Sequence, residues 1–279
     1  MKILTGFRSA DPPIGPCVVT LGNFDGVHLG HRALLRRLVS KARQLQCQSA
    51  VYTFDPHPLK LLCPDKAPLL LNTPAEKQRL IAASHVDLLI EALFTRQLAS
   101  LSPEQFVDEV LIGMLQARGL VIGYDYAFGK GRCGNADFLK SYCAAKGIPV
   151  DVLQPVGADG QPYSSTRIRQ MLAAGKVAEV VPLLGRHFNL EGEVVAGTQR
   201  GRKIGFPTAN LKTEKEQLPA PGVYAVKVRH NLQEYQGVVN LGRRPTFDNG
   251  KSTIEVHLID FSGQLYGQKI RLYFVERLR

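Results

Sequence analysis

The sequence predicts an α/β fold in its first half and an antiparallel β fold in its second half. Over residues 1–184, short apolar runs alternate with amphipathic helical patterns, which is typical of a parallel sheet. From Gly185 onward, strand-like runs are separated by Gly, Asn and Pro turns, and almost no helical period remains. This change of pattern predicts two domains, residues 1–184 and residues 185–279.

Composition narrows the class of protein. A chain of 279 residues, 44% hydrophobic and 21% charged, is typical of soluble globular domains. No apolar run reaches the length of a membrane span, and the opening residues are too weakly apolar for a signal peptide. The five cysteines are odd in number and form no CxxC pair, which indicates reduced thiols in a cytoplasm and argues against a zinc site.

The net charge of +11 predicts an affinity for anions. The basic residues are spread along the chain rather than blocked, and no aromatic–basic repeat suited to stacking single strands is present. Phosphorylated small molecules are therefore favoured over nucleic acid as partners. The oligomeric state is not encoded in any pattern that we can identify.

The strongest local signal is the stretch of residues 21–31, LGNFDGVHLGH. It follows an apolar run and precedes an amphipathic pattern, so a strand, a glycine-rich turn and a helix are predicted. The first N–H groups of such a helix lack intrahelical partners and suit a phosphate. His28 and His31 share one face of the first turn, where two imidazoles can donate hydrogen bonds to phosphate oxygens. Taken alone, such a histidine is more often a satisfied surface or core group.

The next elements continue the alternation of helix and strand. A helix is predicted over residues 32–46 and a buried strand over residues 49–54, followed by the stiff turn Asp55-Pro56-His57-Pro58. Ligands bind at the C-terminal ends of strands in open parallel sheets, although a plain structural loop fits this spacing equally well. Further structural helices, with capping boxes, and strands are predicted over residues 73–83, 86–91, 102–117, 120–123 and 148–153.

Two polar segments follow these elements. The loop of residues 124–135 combines aromatic rings, glycines, a lysine and an arginine, which suits a planar ring and a phosphate. Its last residue, Asn135, is expected to cap a helix over residues 136–146. Residues 164–169, SSTRIR, begin a helix that stops at Gly175. Their hydroxyls, N–H groups and arginines can clamp an anion, and the plainer alternative is an ordinary serine N-cap.

The second half predicts an antiparallel barrel or sandwich. The loop of residues 197–210 carries glycines and basic residues that can wrap a polyphosphate, but it contains no GK[ST] and is not a Walker loop. Glu255 alternates with Ile254 and Val256, so alternation alone predicts a solvent-facing strand residue. A short helix over residues 176–184 precedes strands over residues 187–195, 223–229, 234–241, 253–261 and 269–275, with hairpin links at residues 230–231 and 262–263.

The motif His28-Leu29-Gly30-His31 resembles the HxGH signature of nucleotidyltransferases. With Gly22, Phe24, Asp25 and Gly26 before it, the stretch resembles the bacterial bifunctional riboflavin kinase/FMN adenylyltransferase family, also called FAD synthetases. Similar family motifs lie at residues 53–58 (TFDPHP), 123–135 (GYDYAFGKGRCGN), 164–169, 207–210 (PTAN), 240–247 (NLGRRPTF) and 254–257 (IEVH). The resemblance implies a Rossmann-like adenylyltransferase domain and an antiparallel β-barrel riboflavin kinase domain.

The resemblance also implies the reactions and their residues. Riboflavin is phosphorylated to FMN by Mg²⁺–ATP, with Glu255 as the base, and FMN is adenylylated to FAD with release of pyrophosphate, with His28 and His31 stabilising the transition state. The implied phosphate contacts of the adenylyltransferase are Gly22, Asn23, Phe24, Asp25, Gly30, Ser164, Ser165, Thr166 and Arg169. The implied flavin and nucleotide loop residues are His57, Asp125, Phe128, Gly129 and Arg132. The implied kinase contacts are Gly197, Gly201, Lys203, Gly205, Pro207, Thr208 and Asn210, of which Thr208 and Asn210 hold Mg²⁺.

The chain departs from the family pattern in a few places. Tyr126 and Tyr163 replace a phenylalanine and a small aliphatic residue, and Asn135 stands where the family has an aspartate. The family continues past this chain's last residues with a closing helix over the barrel, so we expect a less enclosed flavin side in the kinase domain. The rival interpretations are an HxGH transferase with another substrate, an adenylyltransferase with an impaired kinase domain, and a non-catalytic module that binds flavin or nucleic acid. The PTAN and EVH motifs argue against the first of these.

Overall fold

The computed structural model describes residues 1–8, 11–158, 160–196, 208–243 and 252–279. The chain divides into two compact units. The first comprises Met1–Leu69 and Pro74–Tyr163, and the second comprises Leu70–Thr73 and Ser164–Arg279. In this division, residues 164–184 group with the second unit, whereas the sequence pattern placed the domain boundary at residue 185. Each unit is described by itself below.

The first unit contains a six-stranded sheet whose strands are all parallel, in the order β1-β4-β3-β2-β5-β6. The strands are β1 (Lys2–Phe7), β2 (Cys17–Leu21), β3 (Gln48–Asp55), β4 (Leu88–Leu93), β5 (Ala117–Gly123) and β6 (Val150–Leu153). The predicted α/β class is confirmed. The edge strand β1 was missed, because it is largely exposed and lacks the continuous apolar run of the inner strands.

Helices of the first unit connect these strands, and a short ribbon of β7 (Gly157–Ala158) and β8 (Gln161–Pro162) follows β6. The helices are α1 (Leu29–Gln44), α2 (Pro58–Leu62), α3 (Pro74–Ala82), α4 (Arg96–Ser100), α5 (Pro103–Gln105) and α6 (Ala136–Ala144). The capping box at Ser102 and Gln105 forms as predicted, and the helical segment that it opens ends at Met114 rather than at about residue 117. Phe106–Met114 is a π-helix, with Leu115 N–H donating to the Val110 carbonyl at 2.9 Å, and β5 already begins at Ala117.

The sheet is buried on both faces, because successive strand residues point to opposite sides. Val18 and Val51 pack with Leu35 and Leu38 of α1 in one apolar cluster. Neighbouring residues of the same strands, such as Val19 and Tyr52, belong to the cluster on the other face. Burial on both faces explains why these strands appear in the sequence as unbroken apolar runs. It also leaves the C-terminal strand ends as the place for polar chemistry.

The second unit contains a closed antiparallel barrel with strand order β10-β13-β12-β11-β14-β9. Its elements are α7 (Ser165–Ala173), α8 (Val181–Leu184), β9 (Asn189–Val195), β10 (Ala209–Lys212), β11 (Gly222–His230), β12 (Gln233–Arg243), β13 (Ser252–Leu258) and β14 (Lys269–Arg277). The sheet closes on itself, because β9 pairs with both β10 and β14. Of the two predicted alternatives, the structure is therefore a barrel, without exposed sheet edges, and not a sandwich.

Three local predictions in the second half need correction. The helix predicted over residues 176–184 is helical only in α8, although Gly185 ends it in the left-handed conformation (φ 66°) as predicted. The tight link predicted at residues 262–263 lies within a longer connection between β13 and β14. Strand β10 was missed, because four residues are too short for a period-2 pattern.

Side chains alternate between the barrel interior and its outer face. Val226, Ile254, Val256 and Phe274 are buried inside. Glu255, between two of these, is therefore on the outer face, as alternation predicted.

Candidate functional site

The turn between β2 and α1 is held in an unusual backbone conformation. Phe24, Gly26 and Val27 have φ values of 49°, 83° and 38°, in the region that favours glycine. The Phe24 and Val27 side chains are only 1% exposed, so burial anchors both residues in conformations that would otherwise be strained. Asp25, between them, is also buried. The turn is therefore set by packing, and it brings a carboxylate and the start of α1 together.

His28 and His31 occupy the first turn of α1, which begins three residues earlier than predicted. His28 is the N-cap, and its Nδ1 accepts a hydrogen bond from the His31 backbone N–H at 3.3 Å. The two rings stack with centroids 3.7 Å apart and an interplanar angle of 19°. Because Nδ1 accepts, a neutral His28 carries its proton on Nε2, which is then the nitrogen that can donate.

Gly30 is needed because the His28 ring folds back over it. A Cβ at residue 30 would lie 3.1 Å from both Cε1 and Nδ1 of His28. Gly22 has a similar reason, since its Cβ would meet the Phe24 ring at 3.2 Å. The glycines of the motif therefore make room for aromatic rings that pack against the turn.

His31 is kept neutral at physiological pH. Burial lowers its pKa well below the usual value, and the neighbouring His28 acts in the same direction. The Phe24 ring packs on its other side, with centroids 5.2 Å apart. Its Nδ1 is buried, and no group within the described part of the chain forms a hydrogen bond to it. Such an atom is able to exchange a hydrogen bond with a ligand.

Predicted residues at the neighbouring strand end also have defined places. His57 is the N-cap of α2, and its Nδ1 accepts from the Leu59 N–H at 3.2 Å. Thr53, fully buried on β3, donates from Oγ1 to the carbonyl of Asn23 at 3.3 Å. This contact ties the end of β3 to the turn before α1.

The loop that follows β5 forms a narrow hairpin. Phe128 and Gly134 exchange two backbone hydrogen bonds of 3.0 Å each. The Phe128 ring is buried and stacks on Tyr126 with centroids 5.6 Å apart, whereas Asp125 and Arg132 are exposed. In sequence, Gly129 follows Phe128 and has a φ of 72°. Asn135 caps α6 as predicted, accepting from the Phe138 N–H at 2.9 Å.

The segment of residues 164–169, predicted to bind an anion, opens α7 in the second unit. Ser164 is the N-cap, and its Oγ accepts from the Arg167 N–H at 3.2 Å. Ser165 and Thr166 are the first helical residues, and Arg169 lies one turn further along. Ile168 is fully buried and fixes the face of the helix that packs inward.

The outer face of the barrel carries a row of polar side chains. Asn210 of β10 and Asn240 of β12 both lie directly opposite Glu255 of β13. Directly opposite residues have Cβ atoms roughly 4.5–5.5 Å apart, so these three groups are neighbours on one face. Thr208 immediately precedes β10. Several predicted kinase residues lie outside the described residues, namely Gly197, Gly201, Lys203, Gly205, Pro207 and residues 244–247 of the NLGRRPTF motif.

The two residues expected to hold Mg²⁺ carry suitable donor atoms. Thr208 and Asn210 offer a hydroxyl and an amide oxygen, and Mg²⁺ prefers oxygen ligands. Within the described ranges, no cluster of three or more His, Cys, Asp or Glu side chains could hold a metal by itself. A site of this kind would depend on substrate phosphates and water for its remaining ligands.

A half-buried lysine near the turn was not predicted as a site residue. Lys77 of α3 donates from Nζ to Thr53 Oγ1 at 3.4 Å. In the sequence it follows a capping box in an amphipathic pattern, where a lysine is typical of a solvated face. No sequence signal distinguishes it from the other lysines of the chain.

Comparisons with known proteins agree with this architecture. Residues 12–167 match the family model of FAD synthetase, and residues 184–279 match that of riboflavin kinase. A bifunctional riboflavin kinase/FMN adenylyltransferase of Pseudomonas fluorescens is 39% identical over 280 residues, covering 100% of this chain and 90% of the relative. The protein of the same name from Escherichia coli strain K12 is 38% identical over 281 residues, with 100% and 90% coverage.

A solved structure has the same fold over nearly the whole chain. It is a crystal structure of a protein called a macrolide-efflux protein, from Streptococcus pneumoniae, with a TM-score of 0.90 and 33% identity. The match covers 99% of this chain and 91% of that one. In the described portions of this chain, none of the helices is both long and apolar enough to cross a membrane. From its two matched domains and its full-length relatives, the chain belongs to the family of bifunctional riboflavin kinase/FMN adenylyltransferases.

Proposed function

We propose that this chain makes FMN and FAD by two ATP-dependent transfers. The barrel unit phosphorylates riboflavin to FMN, and the parallel-sheet unit transfers AMP from ATP to FMN. The observation that carries the proposal is the stacked His28 and His31 pair at the N-terminus of α1. We assign both reactions to the cytoplasm, which the five free thiols support.

In the adenylyl transfer, a phosphate oxygen of FMN attacks the α-phosphorus of ATP. The bond from that phosphorus to the β-phosphate bridging oxygen breaks, and pyrophosphate leaves with the electron pair. No covalent enzyme intermediate is needed, so positioning and charge stabilisation supply the acceleration. Nε2–H of His28, a neutral His31 and the first N–H groups of α1 would donate hydrogen bonds to the charge that builds on the phosphates.

The remaining assignments of this domain follow the motifs. Gly22, Phe24 and Gly30 shape the turn, and Asn23 and Asp25 would contact phosphates or metal. Phosphates would be held by Ser164, Ser165, Thr166 and Arg169. The flavin and the nucleotide would be contacted by His57, Asp125, Phe128, Gly129 and Arg132. The defined backbone of the turn and the caps at His57 and Ser164 support these roles, because preorganised donors cost little to align.

In the kinase reaction, Glu255 would accept the proton of the riboflavin 5′-hydroxyl as that oxygen attacks the γ-phosphorus of ATP. The bond from the γ-phosphorus to the β,γ-bridging oxygen breaks, and ADP leaves with the electron pair. The place of Glu255 opposite Asn210 supports its role as the base, because base and phosphate-binding groups must meet at one point. Thr208 and Asn210 would hold Mg²⁺, which when bound neutralises phosphate charge. The glycines and Lys203 of the preceding loop would contact the same nucleotide.

The test is an incubation of the protein with riboflavin, ATP and Mg²⁺, followed by separation of the flavins. Formation of FMN and then FAD is expected. FAD formed only from added FMN would identify an impaired kinase domain. Absence of turnover with either flavin would contradict the proposal and favour a binding module, for which a steep salt dependence of nucleic-acid affinity would be diagnostic.

A further inference from the structure

A half-buried ammonium interacts electrostatically with three carboxylates near the C-terminal ends of the central strands. Lys77, on α3, is subject to the negative charges of Glu91, Asp55 and Asp25. Glu91, on β4, is only 4% exposed, and Asp25, in the turn before α1, is 6% exposed. Asp55 is the last residue of β3. Four elements of the first unit therefore place one cation and three anions in a small volume.

The burial of this lysine is costly without its partners. Burial lowers the pKa of the Lys77 ammonium, and the carboxylates of Glu91, Asp55 and Asp25 act against that shift. A desolvated charge is retained in proteins only where paired groups compensate it. The negative charges of these carboxylates are unfavourable beside a polyphosphate, and the Lys77 ammonium reduces that effect.

A hydrogen-bond chain connects Lys77 to the turn that carries the histidine motif. Lys77 Nζ lies 3.4 Å from Thr53 Oγ1, and Thr53 Oγ1 lies 3.3 Å from the Asn23 carbonyl. A hydroxyl has one donor hydrogen and can also accept. Since ammonium only donates and a carbonyl only accepts, the direction of the chain is set from Lys77 through Thr53 to Asn23.

We propose that Lys77 is a positioning residue for the adenylyl transfer, acting through Thr53 on the Asn23–Asp25 turn and offsetting the carboxylates beside the ATP phosphates. This inference rests on the adenylyltransferase activity proposed above. Lys77 itself belongs to none of the motifs that predicted the site. Its two effects act together, because the same ammonium orders the turn and reduces the negative charge that ATP meets.

The charge balance gives the expected size of the effect. Lys77→Met removes an ammonium on which the negative charges of Glu91, Asp55 and Asp25 act. Loss of one unit charge near a partly screened site changes the affinity for a polyanion by about tenfold. We expect the KM for ATP in FAD synthesis to rise about tenfold in Lys77→Met, with a smaller fall in kcat.

The experiment measures FAD synthesis from FMN and, in the same protein, FMN synthesis from riboflavin. Lys77→Met should raise the KM for ATP only in the first reaction, and Lys77→Arg should restore most of the parent value. Combining Lys77→Met with Glu91→Gln should also recover part of it, because the second change removes one negative charge. A loss of side-chain packing alone would not be recovered by removing a charge at another residue. A KM within twofold of the parent in Lys77→Met, or no recovery in the double variant, would overturn the inference.

If Lys77→Met does not fold, the inference can be tested with the single variant Glu91→Gln. Glutamine keeps an oxygen that can accept from Gln78 Nε2 and Thr5 Oγ1, which contact Glu91 at 3.0 Å and 3.3 Å. Its KM for ATP should fall about twofold to threefold at low ionic strength, and an unchanged or higher value would refute the inference. The parent protein distinguishes this inference from the proposed function. If the parent fails to make FAD, the proposed function is rejected rather than the role of Lys77.

Discussion

Replacement of Gly30 by alanine should separate catalysis from stability. The new Cβ would lie 3.1 Å from Cε1 and Nδ1 of His28, closer than ordinary carbon contacts allow. The ring must therefore move by a few tenths of an ångström or more. This movement weakens the bond from the His31 N–H to His28 Nδ1, which is already 3.3 Å long. The stacked pair would then lose its alignment.

The backbone, in contrast, has no reason to resist the substitution. Gly30 is inside α1 and does not have a positive φ, so alanine fits its conformation. Alanine in a helix is favoured over glycine by up to about 1 kcal/mol, which offsets the cost of moving one imidazole. We therefore expect a melting temperature equal to or above that of the parent. FAD synthesis should fall about tenfold to a hundredfold, as for other small misplacements of catalytic groups.

The assay compares Gly30→Ala with Ser40→Ala, a matched control on the exposed face of the same helix. Both changes raise helix propensity, but only the first is next to the His28 ring. FMN synthesis from riboflavin in the same samples reports on the integrity of the second unit. Retention of FAD synthesis within twofold in Gly30→Ala would refute the argument that the His28 ring must occupy that space.

Further predictions concern the site residues and the thiols. His31→Ala should reduce FAD synthesis about 10²- to 10³-fold, as for one lost oxyanion donor, while FMN synthesis continues; loss of both activities in a folded protein would contradict two separate sites. Glu255→Gln should do the reverse, and unchanged phosphorylation of riboflavin would show that it is not the base. Because the pKa of His31 is lowered in the folded state, the unfolded chain binds the additional proton as pH falls below about 6.5, so stability should decline there; urea titrations between pH 7.5 and 5 should show a flatter dependence for His31→Gln. Burial raises the pKa of Cys17 to about 12 and that of Cys143 to about 11, so iodoacetamide at pH 8 should modify the exposed Cys63 well before either, as mass spectrometry would show.

Most of the architecture could be predicted from local sequence patterns. The inner strands were predictable because a sheet covered on both faces requires continuous apolar runs. The caps at Ser102, Asn135 and Ser164 were predictable because a side-chain oxygen at a helix start satisfies N–H groups two or three residues away. The change to strand-like runs after Gly185 predicted an antiparallel barrel or sandwich, because alternation is a property of each strand alone.

Features that depend on distant partners were not available from the sequence. Lys2–Phe7 and Ala209–Lys212 become strands because β4 and β13 offer them hydrogen bonds, not because their own residues alternate strongly. The length of the helix after Ser102 depended on where β5 had to begin. Each of these outcomes is a property of packing between segments far apart in the chain.

The candidate site likewise has features that the sequence predicted and features that only the folded chain shows. The sequence identified His28 and His31 as a pair, because helical spacing alone puts residues three apart on one face. Their stacking, the neutral state of His31 and the interaction of Lys77 with Glu91 required the folded chain. Desolvation and the charges of neighbouring strands act through space, so a linear pattern cannot carry them.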